Sequence, residues 1–486
     1  MFKKMIFLCF LFFINLISFT YSYGLSNDTD TIFMTNGFGK DLRFYLSPDN
    51  TYKQLDEFVK NIKNYGINVV IFYDIMPEYG KPYTDKDIWI HPRNEFYKKR
   101  GLKKDIIISK EKIEYLISML HKNQIKAVYY DEICTYNEKY KIYPPINFSE
   151  NKDFYSIPYF YKYIFSSKLN GPISIYGHEY GNDANIELIK KDYISDLSRT
   201  VKELGFDGIF LDSLGWLCEL SSFGSTYDGK NLNKSPDEIC SSFIKDIKTY
   251  IGENFLVIGN NGFYKNPRLT FPKTLDTIDI WLIEFPTKDL IEKISLYPKT
   301  FIELNDELSK KEYTSIIYQP FFNISNIYNY NILMALAISN GVDIYHKNDY
   351  LGSNLKESIK IYNNFTEKYK KIFYPKNQRN KNEINLKVSK DLLFNYYFIE
   401  NNKKFVLNLI NVKPESKIWS PERVITDKED NIILYLPINL CKDKNINIVS
   451  PENLPNKVDL LIDTNFCKIN MLYFEVWATI IIEDKK

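Results

Sequence analysis

The stretch Gly205-Phe206-Asp207-Gly208-Ile209-Phe210-Leu211-Asp212-Ser213-Leu214-Gly215-Trp216 constrains the fold more than any other. Ahead of it, Leu188, Ile189, Tyr193, Leu197, Val201 and Leu204 recur at helical spacing, and Gly205 offers a stop. Ile209 to Leu211 is then a continuous apolar run too short for a helix. Such a run reads as a strand buried on both faces, as in a parallel sheet covered by helices. It ends on Asp212, and Ser213 and Gly215 suit a turn. Barrel and doubly wound enzymes place their chemistry at the carboxyl ends of such strands. The same aspartate also suits the cap of a following helix, whereas Asp207, before Gly208, reads as a turn residue.

The alternation repeats along the chain. Leu42 to Leu46 is the first strand candidate, and Leu55, Phe58, Val59 and Ile62 mark a helix that Gly66 ends. Asn68 to Tyr73 is a strand terminating in Asp74, and Ala127 to Tyr130 one terminating in Asp131 and Glu132. A long Tyr- and Pro-rich loop containing Tyr176-Gly177-His178-Glu179 follows. Beyond Asp212, Phe255 to Ile258 leads to Asn260 and Asn261, and Ile278 to Ile283 leads to Glu284. Ser315 to Tyr318 leads to Gln319 and Pro320, and Gly341 to Tyr345 leads to His346. Helices are expected from about Ile327 to Ile338 and from about Leu355 to Phe373.

Strand–helix units repeated in this way over residues 25–376 favour an α/β (β/α)8 TIM barrel. An open doubly wound sheet is the alternative, although no glycine-rich phosphate loop follows an early strand. Pro375 to Asn382 is a polar, lysine-rich break, after which the apolar period changes to two. Residues 383–486 therefore read as a C-terminal antiparallel β-sandwich.

Composition narrows the function classes. A net charge of +2 argues against nucleic acid or an anionic membrane as the main partner. Lys3 and Lys4 precede an apolar run from Met5 to Phe19, and small residues follow, so residues 1–24 read as a secretory signal peptide and the mature chain as secreted. Beyond it lie Cys134, Cys218, Cys240, Cys441 and Cys467, without a CxxC or Cys/His cluster. No metal or other cofactor is expected. A disulfide of Cys441 with Cys467, or of Cys218 with Cys240, is open, and so is the oligomeric state.

A barrel would gather Asp74, Asp131, Glu132, Asp212, Glu284 and His346 at its mouth, with Asn260, Asn261 and Gln319. Carboxylates and amides without a histidine cluster suit glycoside chemistry. One carboxyl group attacks the oxocarbenium-like centre and the other protonates the leaving oxygen. Asp212 and Glu284 are the catalytic candidates. Tyr73, Asp74, Tyr130, Asp131, Trp216, Asn260, Gln319 and His346 are the substrate-binding candidates. Trp216 serves equally as a core aromatic, Asp131 and Glu132 as caps, and His346 as a hydrogen-bonded positioning residue.

Phe206-Asp207-Gly208-Ile209-Phe210-Leu211-Asp212-Ser213-Leu214-Gly215 resembles the strand-four motif of glycoside hydrolase family 66, the dextranases and cycloisomaltooligosaccharide glucanotransferases. Phe72-Tyr73-Asp74 with Lys81-Pro82 resembles the strand-two motif, and Ile125 to Tyr130 the strand-three segment. Ile280-Trp281-Leu282-Ile283-Glu284 is similar to the segment bearing the acid/base. Asn340-Gly341 through His346, Tyr362 through Tyr369 and Leu407 to Asn411 extend the resemblance in the same order. It implies a retaining mechanism with Asp212 as nucleophile, Glu284 as acid/base, and Asp74 and the strand-three end at the donor subsite. Ile209, Leu211, Phe285-Pro286 and Ile75 depart from the family pattern, so the sugar-contacting shell differs. The family's N-terminal β-sandwich has no room before the first strand, and the link from Pro320 to Ile327 is too short for the module that cyclising members insert. The expectation is hydrolysis of an α-glucan or related oligosaccharide. The alternatives are a non-catalytic carbohydrate-binding or surface protein, or a transglycosylase.

Overall fold

The computed structural model describes residues 32–77, 82–132, 183–212, 236–260, 272–283, 315–318, 326–374 and 384–485, with short breaks inside some of these spans. Short apolar runs form β1 (Phe33–Thr35), β2 (Val69–Phe72), a hairpin of β3 (Ile88–Ile90) and β4 (Ile107–Ser109), and β5 (Lys126–Glu132). They are followed by β6 (Gly208–Asp212), β7 (Leu256–Asn260), β8 (Ile280–Ile283), β9 (Ser315–Tyr318) and β10 (Asp343–His346). All but the hairpin pair in parallel as β1-β2-β5-β6-β7-β8-β9-β10, and β10 returns to β1 to close a barrel. The closing register sets Phe33, Met34 and Thr35 against Ile344, Tyr345 and His346.

Alternation along the strands divides the side chains between two cores. Met34, Ile71, Val128, Phe210, Ile258 and Leu282 fill the barrel interior. Phe33, Val70, Tyr129, Ile209, Val257 and Trp281 point outward into a larger core shared with the helices. Those helices include α1 (Tyr52–Asn64), α2 (Asn94–Lys99), α3 (Lys110–Lys122), α4 (Asp183–Leu204), α5 (Pro236–Ile251), α6 (Pro272–Leu275), α7 (Ile327–Ser339), α8 (Asn348–Leu351) and α9 (Lys356–Lys368). A reciprocal capping box between Thr51 and Gln54 starts α1. Gly205, at φ 82°, follows α4 in the left-handed region that suits a helix stop. Gly208 is required by close approach, because a Cβ there would lie 2.4 Å from the Leu256 carbonyl oxygen on the neighbouring strand.

The amino ends of the strands are stitched by a repeated device. The side chain just before a strand accepts a hydrogen bond from the first backbone N–H of the strand beside it or one place along. Asn68 Oδ1 takes the N–H of Phe33 at 2.8 Å, Asp207 Oδ2 that of Ala127 at 2.7 Å, and Asp279 Oδ2 that of Val257 at 2.7 Å. His121 and Lys248 back the two aspartates at 2.9 and 2.8 Å. Asp207 is therefore more than a turn residue. It is a buttress between β5 and β6.

Two expectations are corrected. The first strand is not Leu42 to Leu46, since Leu42–Phe44 is a 3-10 turn whose N-cap is Asp41. Leu42 and Leu46 are both buried, and their spacing suits one face of a helical turn. The strand lies earlier, at Phe33–Thr35, where β2 and β10 supply its hydrogen bonds. The helix expected from Leu355 to Phe373 is two pieces. Tyr369, at φ −113° and ψ 21°, leaves helical geometry between α9 and α10 (Lys370–Phe373).

The C-terminal part is antiparallel. It contains β11 (Lys387–Val388), β12 (Leu393–Ile399), β13 (Lys404–Ile410), β14 (Ile432–Pro437), β15 (Lys444–Val449), β16 (Val458–Ile462), β17 (Phe466–Met471) and β18 (Trp477–Asp484). They form sheets β11-β14-β17-β16 and β12-β13-β18-β15. Leu407 and Ile480 of one sheet and Leu434 and Ile469 of the other belong to a single apolar core. The disulfide is Cys441–Cys467, with Cα atoms 6.4 Å apart, whereas the alternative pair falls outside the described side chains. Leu393, Ile410 and Trp477 turn the other way and join the barrel's outer core. That contact explains why α7 is buried continuously from Tyr330 to Ser339. It has no solvent face because partners cover both sides.

Candidate active site

Asp212 ends β6 on the interior side of the barrel, two residues beyond Phe210. Its neighbours follow from register, since β5 and β7 flank β6 and residues of equal parity share a face. The Tyr130 hydroxyl of β5 donates to Asp212 Oδ2, and the Asn260 amide of β7 donates to Oδ1 at 2.6 Å. Hydrogen bonds donated to a carboxylate favour its charged form and set its direction. The Tyr130 ring is buried and lies 4.2 Å from the Tyr73 ring and 5.5 Å from that of Phe210, centre to centre. Three sequence candidates, Tyr73, Tyr130 and Asn260, are thus gathered around a fourth, Asp212.

Asp74 does something else. It follows β2, is 1% exposed, and binds Arg43 Nη1 through Oδ2 at 3.0 Å and His91 Nε2 at 3.2 Å. Burial alone would lower the Arg43 pKa, but Asp41 and Asp74 outweigh it and raise it, so the guanidinium stays charged. The sequence offered Asp74 as a substrate-binding residue at the donor subsite, and the structure places its carboxylate among protein partners. It is the buried anchor of an ion-pair cluster.

Of the two readings of His346, substrate contact or hydrogen-bonded positioning residue, the structure has the arrangement of the second. His346 shares parity with Ile344, which points outward, and is fully buried. The Tyr330 hydroxyl from α7 donates to its Nδ1 at 2.6 Å, and its Nε2 meets Asn363 Oδ1 of α9 at 3.3 Å. Burial lowers its pKa to about 3, against a smaller opposing effect of Asn363. It is a neutral brace between strand and helices. Asp131 likewise shares the outward parity of Tyr129 and is 1% exposed. It helps, after burial itself, to push the Tyr129 phenol far above its ordinary pKa. Glu284, Trp216, Gln319, Asn261 and the loop at Tyr176 lie outside the described residues, as do the signal segment and the Glu132 side chain.

Sequence reasoning missed Arg43, Asp41, His91 and Tyr97. A signal was present, because placing the first strand at Phe33–Thr35 turns residues 36–46 into a loop at the carboxyl end of that strand. An arginine there is a candidate at the mouth. Reading Leu42 to Leu46 as the strand concealed it.

The sequence profile of glycosyl hydrolase family 66 matches residues 33–295, more than half of the chain. The chain belongs to that family. It is a glycosidase. No curated protein matches the sequence. Among solved structures, a Paenibacillus sp. cycloisomaltooligosaccharide glucanotransferase complexed with cycloisomaltoheptaose superposes with a TM-score of 0.65 and 11% identity, over 93% of this chain and 85% of that one. Alpha-L-fucosidase isoenzyme 2 from Paenibacillus thiaminolyticus matches at TM-score 0.54 and 8% identity, over 94% and 100%. Amy13B of Eubacterium rectale matches at 0.51 and 11%, over 95% and 96%. At such identities the likeness shows the fold. Within the family 66 match lie Asp212, Tyr130, Asn260 and the Arg43 cluster. Among the described residues, no group of three or more His, Cys, Asp or Glu side chains is placed to hold a metal ion. Nor is any helix among them long and apolar enough to cross a membrane.

Proposed function

We propose that the protein is a secreted retaining glycosidase acting on an α-glucan or related oligosaccharide by double displacement. Asp212 is the nucleophile and Glu284 the acid/base. The observation that carries the reading is the Asp212 carboxylate at the interior end of β6, each oxygen held by a different neighbouring strand. Glu284 follows Leu282 by two residues, and the Leu282 side chain belongs to the barrel interior. A place two residues after an interior-facing leucine and within the family 66 match supports Glu284 as the second carboxyl group.

In the first step an Asp212 oxygen bonds to the anomeric carbon as the glycosidic C–O bond breaks. The Glu284 carboxyl gives its proton to the departing oxygen. In the second, Glu284, now a carboxylate, takes a proton from water, whose oxygen attacks the anomeric carbon and releases Asp212. Secretion is supported by the Lys3-Lys4 and apolar leader and by the Cys441–Cys467 disulfide, which suits an oxidising compartment. The shared core of the two C-terminal sheets supports reading them as a β-sandwich.

The test measures reducing ends released from dextran, isomaltooligosaccharides, starch and pullulan, with the anomer of the first product read by NMR. Asp212→Ala and Glu284→Ala should both abolish turnover of the glucans, and on an aryl glycoside, whose phenolate leaves without a proton, azide should restore part of the phenol release by Glu284→Ala and give a glycosyl azide. First products of inverted configuration, or an Asp212→Ala variant as active as wild type, would refute the mechanism. Wild-type products longer than the substrate would instead favour transglycosylation.

A further inference from the structure

The cluster around Arg43 reaches the active site by contact, and no step of the mechanism above uses it. Arg43 grips Asp41 twice, through Nε at 3.0 Å and Nη2 at 3.1 Å. Its Nη1 donates to Asp74 Oδ2 and to the Tyr97 hydroxyl, both at 3.0 Å. The guanidinium carbon lies 5.0 Å from the centre of the Tyr97 ring and 5.6 Å from that of Tyr73. The Tyr73 ring packs at a 45° tilt with its centre 4.2 Å from that of Tyr130, whose hydroxyl donates to Asp212. His91 closes the far side, with Nε2 at 2.6 Å from the Asp74 carbonyl oxygen and 3.2 Å from Oδ2, so Nε2 carries the hydrogen. One row of touching groups thus runs from a buried ion pair to the carboxylate at the mouth.

Two features set this cluster apart from ordinary packing. Asp74 sits at φ 53°, in the left-handed region that residues with a side chain seldom adopt. Buried ion pairs are also a poor source of stability, because well-packed apolar groups do as well, while an arginine fork fixes direction.

We propose that Arg43 is a positioning residue for glycosyl transfer to Asp212. By clamping Asp41 and Asp74 it holds Tyr73 in place, and Tyr73 holds the Tyr130 ring whose hydroxyl orients the nucleophile. The proposal rests on Asp212 being that nucleophile. Close-packed rings transmit such a constraint because neither can shift without opening a void.

The experiment uses the full chain and the glucan that wild type cleaves best in the panel above. It compares Arg43→Met, Arg43→Lys, Tyr130→Phe and the double variant Arg43→Met/Tyr130→Phe. Arg43→Met should lower kcat about 100-fold with KM within about threefold, the loss expected of a misplacement of about 1 Å. The double variant should be no worse than Tyr130→Phe within about twofold, since both changes remove the same constraint. Arg43→Lys should recover part of kcat, having the charge without the fork. Losses that multiply in the double variant, or a raised KM at unchanged kcat, overturn the proposal. If Arg43→Met does not fold, Arg43→Lys takes its place in the cycle. A crystal structure of the Arg43 variant reads the coupling without turnover. Displacement of Tyr130 from Asp212 is expected, and an unchanged Tyr130–Asp212 bond overturns it. Asp212→Ala run alongside separates the two readings. If that variant stays active the nucleophile assignment falls, whereas the cycle and the crystal structure still judge Arg43.

Discussion

Asp207 and Asp212 stand at opposite ends of β6, and their surroundings give them opposite work. Asp207 takes the Ala127 N–H and the His121 ring, both fixed parts of the protein, so its carboxylate ties two strands together. Asp212 is held by Tyr130 and Asn260 on the interior side at the carboxyl end, partly exposed. The same residue type on one strand is thus a buttress at one rim and the candidate nucleophile at the other. Asp74 is the instructive intermediate, because it lies at the carboxyl rim yet is saturated and buried like a structural group.

The sharpest division between the rims should come from Asp212→Ala, with turnover down about 1000-fold or more and an unchanged melting temperature. Equal loss of stability and activity would erase the distinction. Asp74→Ala should cost about 3 kcal/mol in urea unfolding, because the buried Arg43 loses its one fully buried carboxylate partner and keeps only the half-buried Asp41. A variant as stable as wild type would show that the cluster is not under strain or load. Asp207→Ala should cost about 1–3 kcal/mol by leaving the Ala127 N–H unsatisfied, while the folded fraction keeps its kcat. A loss of kcat beyond the loss of folded protein would mean that the amino rim also tunes the site.

The smallest effect concerns His121. The hydrogen bond to Asp207 raises its pKa, against a smaller effect of burial. A raised value means that the folded state holds the proton more tightly than the unfolded chain does. That stability is fully present below the unfolded value of about 6.5 and is lost as pH rises through the folded one. The side chain is 37% exposed, so solvent screening keeps the effect below about 1 kcal/mol. His121→Gln should therefore lie slightly below wild type in melting temperature at pH 6 and approach it at pH 8. A gap that widens with pH would reverse the assigned sign.

Much of the barrel was legible from local pattern. Ile209 to Leu211 before Asp212, and Ser315 to Tyr318, read as buried strands because continuous apolar runs of that length suit little else. The Tyr130, Asp212 and Asn260 group was also within reach, since each lies at the end of such a run. Parity at the rim was not legible. His346 ends its strand as Asp212 does, and Asp131 lies one residue before the end of β5, yet both share the parity of the side chains that face the helix layer. A shift of one residue in register exchanges the two faces, and register is set by the neighbouring strands.

The amino-acid order alone settled the alternation of strands and helices, the change of period after Pro375 to Asn382, and a carboxylate at the end of β6. These are local properties, written in spacing and residue type. The position of β1, the outward turn of His346 and the Arg43–Asp74 cluster came from folding. A three-residue strand such as Phe33–Thr35 has too little periodicity to announce itself, and only β2 and β10, far along the chain, define it. Arg43 meets Asp74 and Tyr97 only once that ring has closed, because contacts between distant segments leave no trace in the spacing of either one.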